Sequence, residues 1–204
     1  MPLKRIYVDG AIYFVTSRTY NHKRIFINDA VCRLFLEVLD YCHNKLKFRL
    51  YAYNVLPTHV HALILPNSRN TISDVKRHIK GRFANHYKRL IFNDRSLAED
   101  KFFCYGGKYA RSPVSENHKG SITATAPVGE EFILASEISG PIWQKSFYDR
   151  IIRSDEHLHE TTQYINHNAV KHQIVDDPIK WPYSSFHNHY NNKGIIKIDH
   201  PEGF

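Results

Sequence analysis

The stretch from Phe48 to Pro66, FRLYAYNVLPTHVHALILP, holds two β-forming runs separated only by Pro57 and Thr58. Two residues are too few for a crossover connection, so the runs must pair as antiparallel neighbours. The second run is apolar apart from His59 and His61 near its start. Alternate residues of a strand share a face, so the two imidazoles point one way while Val60 and Ala62 point the other. Two neutral imidazoles about 7 Å apart along the backbone can converge on one metal ion. They can equally be two histidines satisfied by hydrogen bonds at a strand end.

Other elements follow from periodicity. Residues 6–19 read as a strand bent at Gly10. Residues 28–46 read as a helix capped by Asn28 or Asp29, with Val31, Leu34, Phe35, Val38, Leu39 and Cys42 as its apolar stripe. A second helix is expected over 71–90. Its stripe is Ile72, Val75, Ile79, Phe83 and Leu90, and Lys76, Arg77, Lys80, Arg82, Lys88 and Arg89 lie largely off it as a basic solvent face. Periodicity fails from about 91 to 141, apart from possible short strands near KFFCY and EFIL. So long a structureless stretch marks an inserted loop region or disorder. IWQKSFYDRIIR then reads as a strand with Phe147, Asp149 and Ile151 on one face. Ser154 caps a helix running to about Lys171, and a tail with Trp181, Tyr183 and Phe186 wraps the core. One domain over 1–190 and a C-terminal tail over 191–204 are expected.

Lys plus Arg number 28 against 20 for Asp plus Glu, a net charge of +8. That surplus favours a polyanionic partner, nucleic acid being the commonest, although a generally basic surface accounts for it too. Cys32, Cys42 and Cys104 are odd in number and form no CxxC pair, which argues against a disulfide framework or a four-cysteine zinc site. The opening MPLKRIYVDG lacks the apolar core of a signal peptide, and no run is long enough to span a bilayer. The expectation is a cytoplasmic protein with no membrane partner.

The chain has 14 histidines and three His-x-His triplets. His157 and His159 fall on an expected helix, where two residues turn side chains about 200° apart. His187 and His189 lie in an Asn-rich tail with no rigid element to fix them. His59 and His61 alone stand on one face of a strand in an apolar frame. On the last expected helix, Leu158, Thr162, Ile165 and Ala169 form the core stripe. Tyr164 lies off it, with Asn168 about 40° away around the axis and Lys171 about 20° the other way. Tyr164 is either an amphipathic tyrosine at the core edge or a nucleophile.

NVLPTHVHALILP, DVKRHIKGRFANHY, IWQKSFYDRIIRS, QYINHNAVKH and WPYSSF occur here in an order that resembles the HUH single-tyrosine transposases, in their REP-associated tyrosine transposase branch. The resemblance covers nearly all of 1–90 and 141–190. It implies an α+β fold, an antiparallel sheet with packed helices in a ferredoxin-like arrangement. It implies a divalent metal, Mg²⁺ or Mn²⁺, on His59, His61 and Asn168, and Tyr164 as nucleophile. The implied activity is cleavage and rejoining of single-stranded DNA next to REP-like hairpins, through a 5′-phosphotyrosine intermediate, by a monomer or homodimer. Lys76, Lys80, Arg82, Trp143, Lys145, Arg150 and Arg153 are candidate DNA contacts. This chain departs from the family pattern at Ala169, where the family has proline, at Gln173, where it often has glycine, and over 91–141, where it commonly has a short link. Two rival readings are an inactive DNA-binding relative and a metal-dependent nuclease whose nucleophile is water.

Overall fold

The computed structural model describes residues 7–91, 140–146 and 148–201. The region from 92 to 139, with Cys104 and the suggested strands, and Phe147 lie outside the described residues. Among the described residues, strands and α-helices come first in the order strand, helix, strand, strand, helix, strand: β1 (Tyr13–Arg18), α1 (Asp29–Leu46), β2 (Arg49–Leu56), β3 (His59–Leu65), α2 (Ile72–Ile91) and β4 (Tyr148–Ile151). The sheet order is β2-β3-β1-β4 and every neighbouring pair is antiparallel. Each helix thus joins two parallel strands that have a third between them, which is the ferredoxin-like topology. Three helices follow: α3 (Asp155–Asn166), α4 (Asn168–Lys171) and α5 (Phe186–Asn191).

Local chemistry accounts for the helix ends. Asn28 Oδ1 accepts from the Val31 amide at 3.0 Å and Ser154 Oγ from the His157 amide at 3.1 Å, the N-caps expected of both side chains. At the start of α2, Thr71 Oγ1 accepts from the Asp74 amide while Asp74 Oδ2 accepts from the Thr71 amide, a reciprocal capping box.

The two faces of the sheet bury different things. Tyr13 and Val15 of β1 and Val60, Ala62 and Ile64 of β3 face α1 and α2 in one continuous apolar core. Its centre is aromatic: the Phe26, Phe35 and Phe83 rings lie 5.3–5.4 Å apart, with Trp143 at 5.5–6.0 Å from each. The other face carries a smaller cluster, Tyr51, Ala52, Leu63, Leu158 and Ile165, beneath α3. Both Tyr51 and Ala52 reach it because the β2–β3 register shifts between Leu50 and Ala52. This bulge reverses the alternation of the rest of β2. Tyr53 and Val55 join the α1–α2 core, and Asn54 is delivered to the α3 side.

Several expectations need correction. The strand around Asp149 is only Tyr148–Ile151, and Trp143 makes an isolated bridge to Thr19 instead of extending it. The last long helix stops at Asn166, because His167 (φ −94°, ψ 5°) breaks it before α4 begins. His187 and His189 stand on α5, not on an irregular tail. The basic face of α2 is not uniformly solvated: Lys76 is only 3% exposed. Residues beyond 191 also pack: Ile196 is buried, and Asp199 accepts from the Leu50 amide and lies 2.8 Å from His43 Nε2.

Candidate active site

The site grows out of β3. His61 lies opposite Thr16 of β1 and Asn54 of β2, and His59 lies opposite Arg18 and Leu56. Thr16 Oγ1 sits 2.9 Å from His61 Nδ1. With the proton on Nδ1, the ring donates to Thr16 and its Nε2 lone pair is left over. That Nε2 is buried and has no hydrogen-bond partner. His59 is oriented in the same way by Thr58 Oγ1, 3.0 Å from Nδ1. The two rings are 4.7 Å apart, and Phe14 stacks on His61 at 5.3 Å.

Burial, followed by the charges of His172, Arg18 and His22, pushes His59 down to about 4. Burial, followed by His59 and His172, pushes His61 down to about 3. Both imidazoles are therefore neutral near pH 7, the protonation state in which they ligate metals.

Tyr164 comes from α3 on the same side. It is 39% exposed, and its ring lies 5.6 Å from His61 and 5.9 Å from Phe14, edge-on to the latter. The predicted nucleophile and the predicted histidine pair are thus packed together across some 100 residues of sequence. Asn54 secures the end of this helix. Its Nδ2 donates to the Ile165 carbonyl at 2.6 Å and its Oδ1 accepts from Trp181 Nε1 at 3.0 Å. One buried amide thereby ties together strand, helix and C-terminal segment.

Asn168 begins α4 and is completely buried, yet neither amide atom has a hydrogen-bond partner. Among the described residues no three His, Cys, Asp or Glu side chains are grouped to hold a metal. A site on the His pair therefore needs another kind of donor. His61 Nε2 and Asn168 Oδ1 are each buried without a hydrogen-bond partner, and neutral nitrogen and oxygen donors are ligand types that divalent cations accept.

The candidate DNA contacts divide between the two sides of the sheet. Lys80 donates to the Gln144 carbonyl at 2.8 Å, and Trp143, 7% exposed, returns a hydrogen bond from Nε1 to the Lys80 carbonyl at 3.1 Å. These two latch α2 to the segment before β4. Arg82 stacks on Tyr41 at 3.8 Å in a groove of about 440 Å³ between α1 and α2, shared with Lys45, Arg77 and Arg89. That groove is on the far side of the sheet from Tyr164. Lys145, Arg150 and Arg153 are exposed. Arg150 pairs in register with Phe14 and so shares the face of the histidines.

Sequence reasoning missed four residues here: Thr16, Arg18, Asn54 and His172. His172 lies 5.2 Å from His59, ring to ring. Asn54 left a signal, being a lone amide in the otherwise apolar and aromatic run YAYNVL. The others left none, because only strand register and the end of α4 bring them in.

The fold and the site define a class before any relative is considered: a ferredoxin-like domain with a His-x-His strand and a tyrosine-bearing helix packed on it. The IS200-like transposase profile matches residues 8–124, and the chain belongs to that family and is a transposase. Relatives to which it is similar bear the name REP-associated tyrosine transposase. A candidate member from Haemophilus influenzae is 24% identical over 185 residues, 90% of this chain and 84% of its own length. A REP-associated tyrosine transposase of Escherichia coli is 36% identical over 58 residues, 28% of this chain and 34% of its own. The fold matches the structure of a REP-associated tyrosine transposase bound to a REP hairpin, with TM-score 0.61 and 20% identity, covering 100% of this chain and 94% of that one. No helix among the described residues is long and apolar enough to cross a membrane.

Proposed function

We propose that the protein cleaves and rejoins single-stranded DNA beside a hairpin through a phosphotyrosine on Tyr164, assisted by a divalent cation on His59, His61 and Asn168. The observation that carries this reading is the 5.6 Å packing of the Tyr164 ring on His61, with the tyrosine still open to solvent. A buried structural tyrosine would not leave its ring accessible at the mouth of a histidine pair.

Each residue has a distinct task. Phe14 holds the Tyr164 ring edge-on and the His61 ring face-on, setting the two against each other. Thr16 and Thr58 fix the imidazole orientations. The Tyr164 phenolic oxygen attacks phosphorus, forming an O–P bond as the P–O3′ bond breaks. The electron pair leaves with O3′. The phenol gives up its proton and the 3′ oxygen takes one, leaving a 5′-phosphotyrosine and a 3′-OH. One phosphoester replaces another, so the step is reversible and needs no nucleotide cofactor. A bound Mg²⁺ or Mn²⁺ supplies positive charge that stabilises the phosphoryl oxygens as negative charge builds on them.

The hairpin as partner is supported by the ligand of the structural neighbour, a REP-associated transposase bound to a REP hairpin. Arg150, on the histidine face, and exposed Lys145 and Arg153 are the contacts favoured for the single-stranded flank.

The test is a cleavage reaction on a labelled hairpin with a single-stranded flank in Mg²⁺ or Mn²⁺, resolved on a denaturing gel. The expected result is a covalent protein–DNA adduct that Tyr164→Phe abolishes. An adduct that survives in Tyr164→Phe shifts the role to Tyr148, which is 56% exposed and 6.3 Å from the Phe14 ring. Cleavage with no adduct in either protein makes water the nucleophile.

A further inference from the structure

The groups gathered around Tyr164 are the neutral His61 imidazole, the Phe14 ring and a positive charge. The charge is Lys171, at the end of α4, whose Nζ lies 4.7 Å from the centroid of the Tyr164 ring. Among the described residues no carboxylate pairs with it. A surface lysine ordinarily extends into water, since its ammonium is strongly hydrated and its stem flexible. This one is folded back over the Tyr164 ring, which itself packs on His61. The break at His167 starts α4 afresh, and Lys171 is its last residue. His172, the next residue, lies against His59, so the end of α4 borders the histidine pair as well as the tyrosine.

We propose that Lys171 is a second catalytic cation, which leaves the Tyr164 ring when DNA enters and donates to a non-bridging oxygen of the scissile phosphodiester. This rests on Tyr164 being the nucleophile. An exposed cation–π contact is weaker than a charge-assisted hydrogen bond to an anionic oxygen, so the phosphate outcompetes the ring for the ammonium. In the free protein the same contact keeps Lys171 in place and parks the Tyr164 ring. In the bound state the lysine draws the phosphorus toward the phenolic oxygen. Lys171 thereby supplies protein-borne charge to a site whose other proposed ligands are all neutral.

The experiment separates a phosphate contact from a packing role. Binding of the hairpin substrate is measured by fluorescence anisotropy in Mg²⁺, in a Tyr164→Phe background, with either a native phosphodiester or an uncharged methylphosphonate at the scissile position. Lys171→Ala is expected to weaken binding of the native strand by roughly tenfold and to leave the methylphosphonate strand unchanged, with Lys171→Arg restoring most of the loss. With Tyr164 present, Lys171→Ala should slow single-turnover adduct formation by roughly ten- to a hundredfold. Equal weakening on both strands, or none on either, overturns the proposal. If the wild-type chain forms no adduct at all, the phosphotyrosine reading fails, while the comparison of the two strands still decides whether Lys171 meets that phosphate.

Discussion

The two faces of β3 carry opposite solutions to the same burial problem. Val60, Ala62 and Ile64 face α1 and α2 in a core of apolar side chains whose aromatic rings interlock, with Lys76 of α2 buried beside it. His59 and His61 face α3 and α4, where His61 is buried nearly as completely but keeps an unpartnered nitrogen. A buried polar atom without a partner costs about 1–3 kcal/mol. At His61 that cost falls inside the candidate site, and the larger apolar core on the other face offsets it. Stability and chemistry are thus separated by the thickness of one sheet.

If that separation holds, mutations on the two faces should fail in different ways. The largest effect is expected from Tyr164→Phe, which should reduce the adduct below detection while changing unfolding free energy by less than about 1 kcal/mol, because the side chain is substantially exposed. Chemical denaturation alongside the adduct assay checks both halves. A Tyr164→Phe protein that is also badly destabilised would break the comparison from the catalytic side.

Phe83→Ala is the counterpart on the core face. Phe83 is fully buried among Phe26, Phe35, Tyr87 and Trp143, and its truncation should cost about 3–5 kcal/mol. At temperatures where the variant remains folded, its adduct rate should match the wild type.

His61→Ala should remove Mn²⁺ uptake, read by calorimetric titration, at a smaller stability cost of about 1 kcal/mol from the lost Thr16 contact. Tyr164→Phe should bind Mn²⁺ normally. Loss of uptake in both variants would mean that the phenol, and not only the imidazoles, belongs to the cation site.

The histidine face should also be the pH-sensitive one. His59 and His61 lie well below the ordinary value of 6.5 in the folded chain, at about 4 and about 3. The unfolded chain then binds more protons than the folded chain in that window. Stability of the metal-free protein should fall as pH drops from about 6.5 toward these values, and be flat above it with respect to these two groups. His61→Ala should shallow that slope in denaturant titrations run across the range.

The smallest effect is expected at Lys80. Its ammonium is engaged with the Gln144 carbonyl on the core face, so Lys80→Ala should cost about 0.5–1.5 kcal/mol of stability. The salt dependence of DNA binding should change little, whereas Arg150→Ala should flatten it. The reverse pattern would move the DNA path to the α1–α2 side.

Legibility in the sequence followed distance along the chain. The β2–β3 pairing, the shared face of His59 and His61, and the caps at Asn28 and Ser154 all depend on residues within a few positions of one another, and all were readable. The relation of Tyr164 to Asn168 was read from an unbroken helix. The break at His167 instead leaves Tyr164 39% exposed and Asn168 completely buried. Lys76 and Lys80 were read as solvated because a helical wheel shows what lies off the apolar stripe, not what a distant segment brings to cover it. The Trp143 segment does the covering for Lys80.

By itself the sequence determined that an antiparallel hairpin would present two imidazoles on one side, since strand alternation and chain connectivity are local and sterically enforced. The ordered motifs determined which family this is. Only the tertiary structure decided that the bulge at Tyr51 turns Asn54 toward α3, that Asn54 then holds the helix end by the Ile165 carbonyl, and that Tyr164, Lys171 and His172 arrive beside the histidines. Those placements depend on strand register and on packing between segments far apart in sequence. No window of residues contains the energies that set them.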